Sequence, residues 1–376
     1  MGRHSPFMGL GALPVILFLF LISGCASTQP FPESILGTPE LHVSNGYKLI
    51  KMGRYDDAEG EFEKALGHAP ENSAAFKGIG LVKGYKGDFG PAFQSMEKAQ
   101  FLARGKEEEL AVYVGWIRLH TMKRGKGWLD EAKRAYSSAC SLKEDDPATY
   151  YFMGLAYKHA YRFVEAKRVF EKVVAIHRAH VEDAEAELRI IEKIKEGKPV
   201  SVFGKQVAVQ ERITRAETAA LLMHELALNQ ILEELRASQE RNMTAASSHS
   251  PKDISAHPLR SEIESALRLD IAGLRVYADG TFGPDEYVTR AGFATMMADI
   301  LSRVRNEPDL ISRYQGRPSP FKDLRNEATY FGAVMACTAA GGLDAENGIF
   351  NPKGAVTGYD ALLTIRKIRD RLNLSL

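Results

Sequence analysis

The chain has 376 residues, which is enough for two or three domains with a sizeable core. Apolar residues make up 45% of it and charged residues 26%, as in ordinary globular proteins. The formal net charge is +1, so there is no global basic field to hold nucleic acid, and we expect no nucleic-acid partner.

The N-terminal segment 1–24 has the pattern of a secretory signal. A short basic region, Arg3 and His4, precedes an apolar run at Leu10–Ile22. The run is too short to span a membrane, and Arg3 is the one strong charge before it. We therefore predict that this segment is removed, and that the mature chain, with 48 basic and 48 acidic residues, has no net charge.

The signal ends in Ile22-Ser23-Gly24-Cys25, which resembles the bacterial lipobox. That resemblance implies a diacylglycerol on the Cys25 thiol and an acylated amine, and two or three acyl chains give stable anchoring. Ala26, in place of an aspartate, favours the outer membrane by the same family's rule. Residues 25–38 are then a lipidated linker. The alternative is an ordinary signal peptide with an incidental cysteine.

Residues 39–180 carry an internal repeat. Small residues recur at one fixed spacing, at Gly53 and Gly87, Ala58 and Ala92, Ala65 and Ala99, and Ala132 and Ala166. The pattern resembles the tetratricopeptide repeat (TPR), whose period is about 34 residues. In that family helical hairpins stack into a solenoid because one hairpin cannot bury its face alone. We predict four units, at 39–72, 73–106, 107–146 and 147–180, and then a capping or bridging helix at 181–198.

The TPR resemblance implies that the first helix of each unit lines a concave groove that binds a partner protein. By position, the groove residues are basic or aromatic: Lys51, Lys77, Tyr85, Arg118, Tyr151 and Lys158. Such a set suits an acidic or amphipathic peptide. The alternative is that a solvated helix face simply carries lysines.

In residues 199–376 that period stops, and helix-like runs alternate with Gly/Pro turns. Three helix starts recur at Thr214–Glu217, Thr289–Gly292 and Thr357–Asp360, each followed by an apolar stripe. Thr214 and Glu217 have the spacing of a capping box. The interval between the first two threonines is slightly longer than that between the last two, so we predict three unequal copies of one helical unit.

Capping accounts for the threonines but not for the arginines after them, Arg215 and Arg290. A cation is mildly disfavoured at a helix N-terminus, by ~0.3–1 kcal/mol. A guanidinium beside free helix amides forms an anion site, so both arginines are candidate contacts for a glycan that carries carboxylate, phosphate or pyruvate-ketal groups. The alternative is that they point to a local carboxylate such as Asp279 or Glu286.

Tyr277–Gly292 (YADGTFGPDEYVTRAG) and Ile213–Glu217 (ITRAE) together resemble the S-layer homology (SLH) family. The resemblance implies a pseudo-threefold helical domain whose grooves bind anionic envelope polysaccharide, with Arg215 and Arg290 in contact with the polymer. The motif's structural positions in this chain are Thr214, Glu217, Asp279, Gly280 and Thr289.

The chain departs from the SLH pattern in several places. Gly358 stands where the third arginine belongs, and Gly292 stands where the second glutamate belongs. The family's tryptophan after the repeat-opening Phe-x-Asp, present here as Phe321–Asp323, is absent. We therefore predict that at least one groove is inactive. Residues 237–257 are polar and poor in large hydrophobic side chains, which predicts a flexible insertion.

No motif predicts catalysis, a metal site or a cofactor. His224-Glu225 lacks the second histidine of a zinc-protease motif, and no predicted strand precedes Gly78-Ile79-Gly80. Cys140 and Cys337 lie in apolar contexts of different predicted domains, which favours buried small hydrophobic residues over a disulfide.

The sequence thus predicts a mostly all-α protein, a TPR-type solenoid followed by a helical SLH-like domain. The favoured function is a non-enzymatic outer-membrane lipoprotein facing the periplasm. It binds a client protein through its solenoid and an anionic cell-wall or envelope polysaccharide through its C-terminal domain. One alternative is an assembly factor resembling the pilotin lipoproteins of pili or secretion complexes, with a purely structural C-terminal domain. Another is a cell-wall enzyme with an unrecognised site.

Overall fold

A computed structural model describes residues 37–228, 230–231 and 251–372. Within these ranges the regular structure is helical, with isolated bridges and no strand, so the all-α prediction is confirmed. Cys25 and the predicted signal peptide lie outside the described residues. No helix in the described ranges combines the length and the apolar character needed to cross a bilayer.

Four antiparallel helical hairpins form the first part of the described chain. Three of the four first helices, α1, α3 and α7, begin at a side-chain cap; Asn72 Oδ1, for example, accepts the Ala75 amide at 2.9 Å, and Asp146 Oδ2 accepts the Thr149 amide at 2.8 Å. The helices are α1 (Pro39–Lys51), α2 (Tyr55–His68), α3 (Ser73–Lys86), α4 (Phe89–Leu102), α5 (Gly105–Lys123), α6 (Trp128–Leu142), α7 (Pro147–His159) and α8 (Phe163–Ile176).

Glycines allow the helices of the solenoid to approach closely around buried aromatic rings. A Cβ added to Gly46 or Gly78 would lie 2.6 or 2.3 Å from the ring of Phe62, which is fully buried. Gly154 meets Phe170 in the same way, at 2.4 Å. These three glycines therefore leave room for one large ring within a hairpin or between neighbouring hairpins.

The first helices pack side by side, α1 on α3, α3 on α5 and α5 on α7, and so form one face of the solenoid. Helix α5 has 19 residues, whereas α1, α3 and α7 have 13 or 14. The third predicted unit, 107–146, is longer than the other three. Its additional residues extend its first helix and the turn that follows that helix. We call the surface formed by α1, α3, α5 and α7 the inner face.

Helix α9 (Val181–Gly197) belongs to two hydrophobic cores. Ala184 and Ile191 pack with α8 in the last core cluster of the solenoid, whereas Ile194 packs in the core of the C-terminal domain. Gly197 approaches the backbone of Leu363 at 3.3 Å, measured from an added Cβ. The C-terminal part of this helix is therefore built into the second domain.

The C-terminal domain is a compact set of short helices around one core that includes Phe282, Phe293, Phe331 and Phe350. Three of its helices begin directly after the recurrent threonines. The helices are α10 (Val202–Ala208), α11 (Arg215–His224), α12 (Arg260–Arg268), α13 (Arg290–Arg305), α14 (Phe331–Ala339) and α15 (Gly358–Arg371).

A closed ring of three backbone hydrogen bonds relates the three helix starts. The Val288 amide donates to the Ile213 carbonyl (3.0 Å), and the Val356 amide donates to the Val288 carbonyl (2.9 Å). The Ile213 amide closes the ring on the Val356 carbonyl at 3.3 Å. All three residues are buried. The ring gives the domain its pseudo-threefold arrangement.

The predicted insertion at 237–257 lies outside the described residues up to residue 250. Its last part does not fit the prediction of a flexible segment. Lys252–Ile254 form a 3-10 turn, Ile254 is fully buried, and Asp253 accepts the amides of Phe282 (3.0 Å) and Gly283 (2.7 Å). The prediction was wrong for these residues because a single buried isoleucine and a capping aspartate fix a segment whose average composition is polar.

We expect Gly154→Ala to destabilise the solenoid, because the new methyl group would overlap the Phe170 ring inside a packed core. Overpacking of this kind costs ~1–3 kcal/mol. The matched control is Gly60→Ala in α2, where nothing lies within 4 Å and helix propensity favours alanine by roughly 0.5–1 kcal/mol. The urea midpoint of far-UV CD should fall for the first variant and not for the second; equal midpoints would contradict the packing argument.

Candidate functional site

The Arg215 side chain is buried and points across to the second unit. Its Nε donates to the Phe282 carbonyl at 2.8 Å, Nη1 to the Gly273 carbonyl at 2.6 Å and Nη2 to the Arg275 carbonyl at 2.9 Å. The residue is 8% exposed, and burial lowers the pKa of its guanidinium. The guanidinium nitrogens that the sequence pattern suggests for a glycan are therefore bonded to three backbone carbonyls.

Arg290 makes the corresponding contacts with the third unit. Its Nε donates to the Phe350 carbonyl at 2.7 Å and its Nη2 to the Asp344 carbonyl at 2.5 Å. Its Nη1 lies 3.5 Å from Oδ2 of Asp360. Neither arginine is tied to Asp279 or Glu286 through its guanidinium, so the partners differ from those of the local-carboxylate alternative.

The two arginines support equivalent turns. Arg215 holds the turn that contains Phe282, and Arg290 holds the turn that contains Phe350; each guanidinium lies over the ring it braces, at 4.7 and 5.0 Å. The helix dipole cost of an arginine at this position is offset by hydrogen bonds to the next unit. The recurrence of the arginine thus has a structural explanation that sequence reasoning missed.

A pair of aspartates caps the same turns from the other side. Asp253 accepts the amides of Phe282 and Gly283, and Asp323 accepts those of Phe350 and Asn351 at 2.8 and 2.7 Å. Asp253 was not among the predicted residues. The signal was present in the sequence, since Lys252-Asp253 repeats as Lys322-Asp323.

Gly358, at the third helix start, has no space for an arginine. A Cβ at this position would lie 1.7 Å from the Val207 carbonyl oxygen of α10. The Gly358 amide instead donates to the Gln210 carbonyl (2.9 Å), as the Arg290 amide donates to the Gly354 carbonyl (2.8 Å). Helix α10 therefore occupies the volume that the arginine side chain takes in the other two units.

The remaining motif residues serve the backbone. Thr214 and Glu217 form a complete capping box, with reciprocal bonds of 3.1 and 2.8 Å, and Thr289 Oγ1 accepts the Gly292 amide at 3.1 Å. Asp279 Oδ1 accepts the amide and hydroxyl of Thr281, which lowers the pKa of Asp279. Gly280 has a φ of 83°, where a glycine is favoured.

The surfaces beside the two arginines differ. Beside Arg215, the ring of Tyr277 lies 4.6 Å over the guanidinium, and its hydroxyl donates to Glu286 at 2.7 Å, which covers the arginine. Beside Arg290, Glu346 takes the place of Tyr277: the Tyr277 amide donates to the Thr281 carbonyl, and the Glu346 amide donates to the Ile349 carbonyl across a turn that is one residue shorter. Gly354 takes the place of Glu286, because the Arg215 amide donates to the Glu286 carbonyl as the Arg290 amide does to the Gly354 carbonyl. The tyrosine ring that covers Arg215 therefore has no counterpart at position 346.

Beside Arg290 there is an open cavity of about 390 Å³, which we call the Arg290 groove. Helix α9 supplies one wall through Lys193, whose Nζ lies 3.0 Å from Oδ1 of Asp360. Asp360 therefore stands between the two cations of the groove. The lining is polar and carries both charge signs: Lys193, Arg290, Asp344, Glu346, Asn347, Ile349, Phe350, Asn351, Ala355, Thr357 and Asp360.

The predicted groove residues of the solenoid have different surroundings. Arg118 stacks on Phe152 at 4.5 Å and donates to the Tyr85 hydroxyl at 3.1 Å, so the structure brings Arg118 and Tyr85 together. Lys77 lies over the Tyr47 ring at 5.1 Å, and burial is the main reason why its pKa falls to about 8.

The other three predicted residues offer less to a ligand. Lys51 is exposed at the end of α1. Lys158 is buried in an ion pair with Glu187 at 2.6 Å, and Tyr151 stacks on His180 at 4.6 Å. The solvated-lysine alternative thus fits Lys51, whereas Lys158 holds α7 against α9.

Among the described residues there is no group of three or more histidine, cysteine or acidic side chains that could hold a metal ion. Cys140 and Cys337, which the structure describes, are both free thiols. Burial raises the pKa of Cys337 to about 11, so this thiol is unreactive at neutral pH.

Comparison with known families supports part of the sequence interpretation. The family model described as "S-layer homology domain" matches residues 252–294, so the SLH resemblance is confirmed over that segment. This segment contains Asp253, the turn braced by Arg215, and Arg290. No curated protein matches the chain.

A solved structure of a thermophilic TPR protein from Thermus thermophilus is similar at 19% identity. The similarity covers 53% of this chain and 97% of that one, with a TM-score of 0.34. The description of the solenoid as TPR-type rests on the repeat period and on the four hairpins themselves.

We expect Arg215→Met to destabilise the C-terminal domain, because the carbonyls of Gly273, Arg275 and the buried Phe282 would lose a charged donor. The expected loss in free energy of unfolding is roughly 3–5 kcal/mol. Arg212→Met, which removes an exposed arginine three positions earlier, is the control. Thermal unfolding followed by near-UV CD measures both. A loss below that of the control would show that the carbonyl contacts contribute little.

Proposed function

We propose that this protein is a non-enzymatic component of the cell envelope with two binding surfaces. The Arg290 groove binds an envelope or cell-wall polysaccharide, and the inner face of the solenoid binds a partner protein. The observation that carries the polysaccharide assignment is the replacement of Tyr277 and Glu286 by Glu346 and Gly354, which leaves the second arginine beside an open cavity.

The chemistry of the Arg290 groove suits a sugar polymer. Amides of Asn347 and Asn351 and the hydroxyl of Thr357 pair with sugar hydroxyls in either direction, and carboxylates accept from them. An acidic substituent on the polymer would compete with Asp360 for Lys193 and Arg290. The lining itself supports a ligand with many hydroxyl groups, and the acidic substituent rests on the SLH resemblance.

The proposal assigns different roles to the two arginines. Arg215 is covered by Tyr277 and hydrogen-bonded to three carbonyls. We therefore assign it no direct contact with the polymer. Arg290 keeps one nitrogen, Nη1, for the groove side, where its partner Asp360 lies at 3.5 Å. Only one of the two predicted arginines therefore enters the polymer-binding proposal.

The proposal keeps the lipid anchor on Cys25 and the outer-membrane location, with the protein facing the periplasm. These rest on the lipobox pattern and Ala26, both of which lie outside the described residues. The anchor would hold the solenoid near the membrane, and the groove would then hold the wall polymer.

One observation favours the assembly-factor alternative. Both arginines brace turns, so the SLH-like domain has a structural reason to retain them without any ligand. In that case the solenoid alone carries the function, as a chaperone or docking platform for an outer-membrane client, and the C-terminal domain stabilises it through α9.

We expect Glu346→Tyr to abolish retention of the mature protein on purified cell-wall sacculi, because a tyrosine at this position would cover Arg290 as Tyr277 covers Arg215. Lys193→Ala should weaken retention by about tenfold, since one desolvated charge contact contributes on the order of 1.4 kcal/mol. Co-sedimentation with sacculi measures both variants.

Lys195→Ala is the matched control, because Lys195 is an exposed lysine two positions along α9. Sacculi stripped of their attached secondary polymers separate a polymer site from a peptidoglycan site. Wild-type retention that Glu346→Tyr does not change would refute the polysaccharide site in the Arg290 groove and leave the assembly-factor function. Release of soluble wall fragments would point to an enzyme.

We expect metabolic labelling with a fatty-acid analogue to mark the wild-type protein and to disappear in Cys25→Ala. The reason is that the thiol at position 25 is the acceptor of the diacylglycerol in the lipobox pattern. Gel fluorescence after click coupling measures the label, and Cys140→Ala is the control. Label that persists in the Cys25 variant would show that this site is wrong.

A further inference from the structure

The inner face of the solenoid contains a pocket that the polysaccharide function does not use. Helices α3, α5 and α7 and the residue after α5 supply the part of its wall that the structure describes. The lining is mostly apolar: Tyr85, Arg118, Thr121, Met122, Arg124, Phe152, Leu155 and His159. Apart from Phe152 in the middle of α7, these residues lie toward the C-terminal ends of the first helices, so the pocket opens where three hairpins meet.

The volume of the pocket matches one large side chain. It measures about 230 Å³. A cavity of about 150 Å³ in another protein is large enough to bind benzene, so a phenylalanine or leucine side chain fits here with room for its backbone. Apolar pockets of this size are where a single anchor residue contributes most of the affinity of a protein interface.

The charge of the pocket has one sign. Arg118 and Arg124 line it, and no aspartate or glutamate does so among the residues that the structure describes there. The surroundings are unfavourable for further positive charge: burial, and then the cations Lys158 and Arg124, lower the pKa of His159 to about 4. At neutral pH His159 is therefore uncharged, and the two arginines are the charges that an occupant meets.

Two polar atoms of the pocket residues have no partner within the described part of the chain. They are Nε of Arg118 and Nδ1 of His159, and both are shielded from solvent. The neighbouring Nη2 of Arg118 donates to the Tyr85 hydroxyl. A buried donor without an acceptor costs ~1–3 kcal/mol, so a small rotation of Arg118 toward an incoming carboxylate would be favoured.

We propose that this pocket binds the large apolar side chain of an extended acidic segment in the partner protein, with a neighbouring carboxylate paired to Arg118 or Arg124. The proposal rests on the protein-binding role proposed for the solenoid and names the chemistry of the partner. An extended segment is favoured because the inner face continues from the pocket along α3 to α1, which packs beside α3. Positive charge on a partner would meet the two arginines.

The test uses the mature protein and three fluorescent peptides of equal length. The first has one phenylalanine flanked by aspartates, the second replaces the aspartates by asparagines, and the third replaces the phenylalanine by alanine. We expect fluorescence anisotropy to show binding of the first peptide at least tenfold tighter than of either other peptide. Equal binding of all three, or no binding of the first, would overturn the proposal.

Variants locate the site. Leu155→Trp should fill the pocket, and Arg118→Gln should remove one of its charges. Each variant should lower the affinity for the first peptide at least tenfold, while far-UV CD shows an unchanged helix content. Arg168→Gln, an exposed arginine on α8, is the matched control and should bind as wild type does. Binding that survives both pocket variants would overturn the pocket and leave the solenoid's protein-binding role standing. Sacculus retention, measured in parallel, tests the polysaccharide site separately.

Discussion

Three backbone hydrogen bonds among Ile213, Val288 and Val356 fix the C-terminal domain. Because each residue lies just before a helix start, the ring sets the relative position of three helices at once. The arginine that follows the first two starts can then reach the turn of the next unit, as Arg215 reaches Phe282. The ring therefore determines which turn faces which arginine, and with it the place of the Arg290 groove.

The two arginine-bearing units show how one scaffold gives a covered and an open surface. The backbone hydrogen bonds and the arginine braces are nearly the same in both, so the difference lies in side chains that the fold does not need. Tyr277 and Glu286 cover one arginine, whereas Glu346 and Gly354 at the equivalent positions leave the other beside a cavity. The groove is further shaped by Lys193, which comes from the helix that also completes the solenoid.

Much of the architecture could be predicted because it depends on short-range patterns. The repeat period predicts the hairpins, and the threonines predict helix starts, since Thr214, Thr289 and Thr357 all cap helices. The role of the arginines could not be predicted, because their carbonyl partners lie far along the chain. Every residue has a backbone carbonyl, so residue types do not indicate which carbonyl an arginine will bind. The need for a glycine at position 358 could not be predicted either, because the residue that leaves no space for a side chain there, Val207, lies on another helix.

Helix α9 contributes Ile191 to the solenoid core and Ile194 to the C-terminal core. Residues three apart lie on one face of a helix, so both hydrophobic cores pack against the same continuous helix. Bending between the two domains would therefore have to break a helix or empty a core. A force applied to one domain would therefore pass to the other through α9 as force and torque, because α9 has no flexible segment between Ile191 and Ile194 to absorb it.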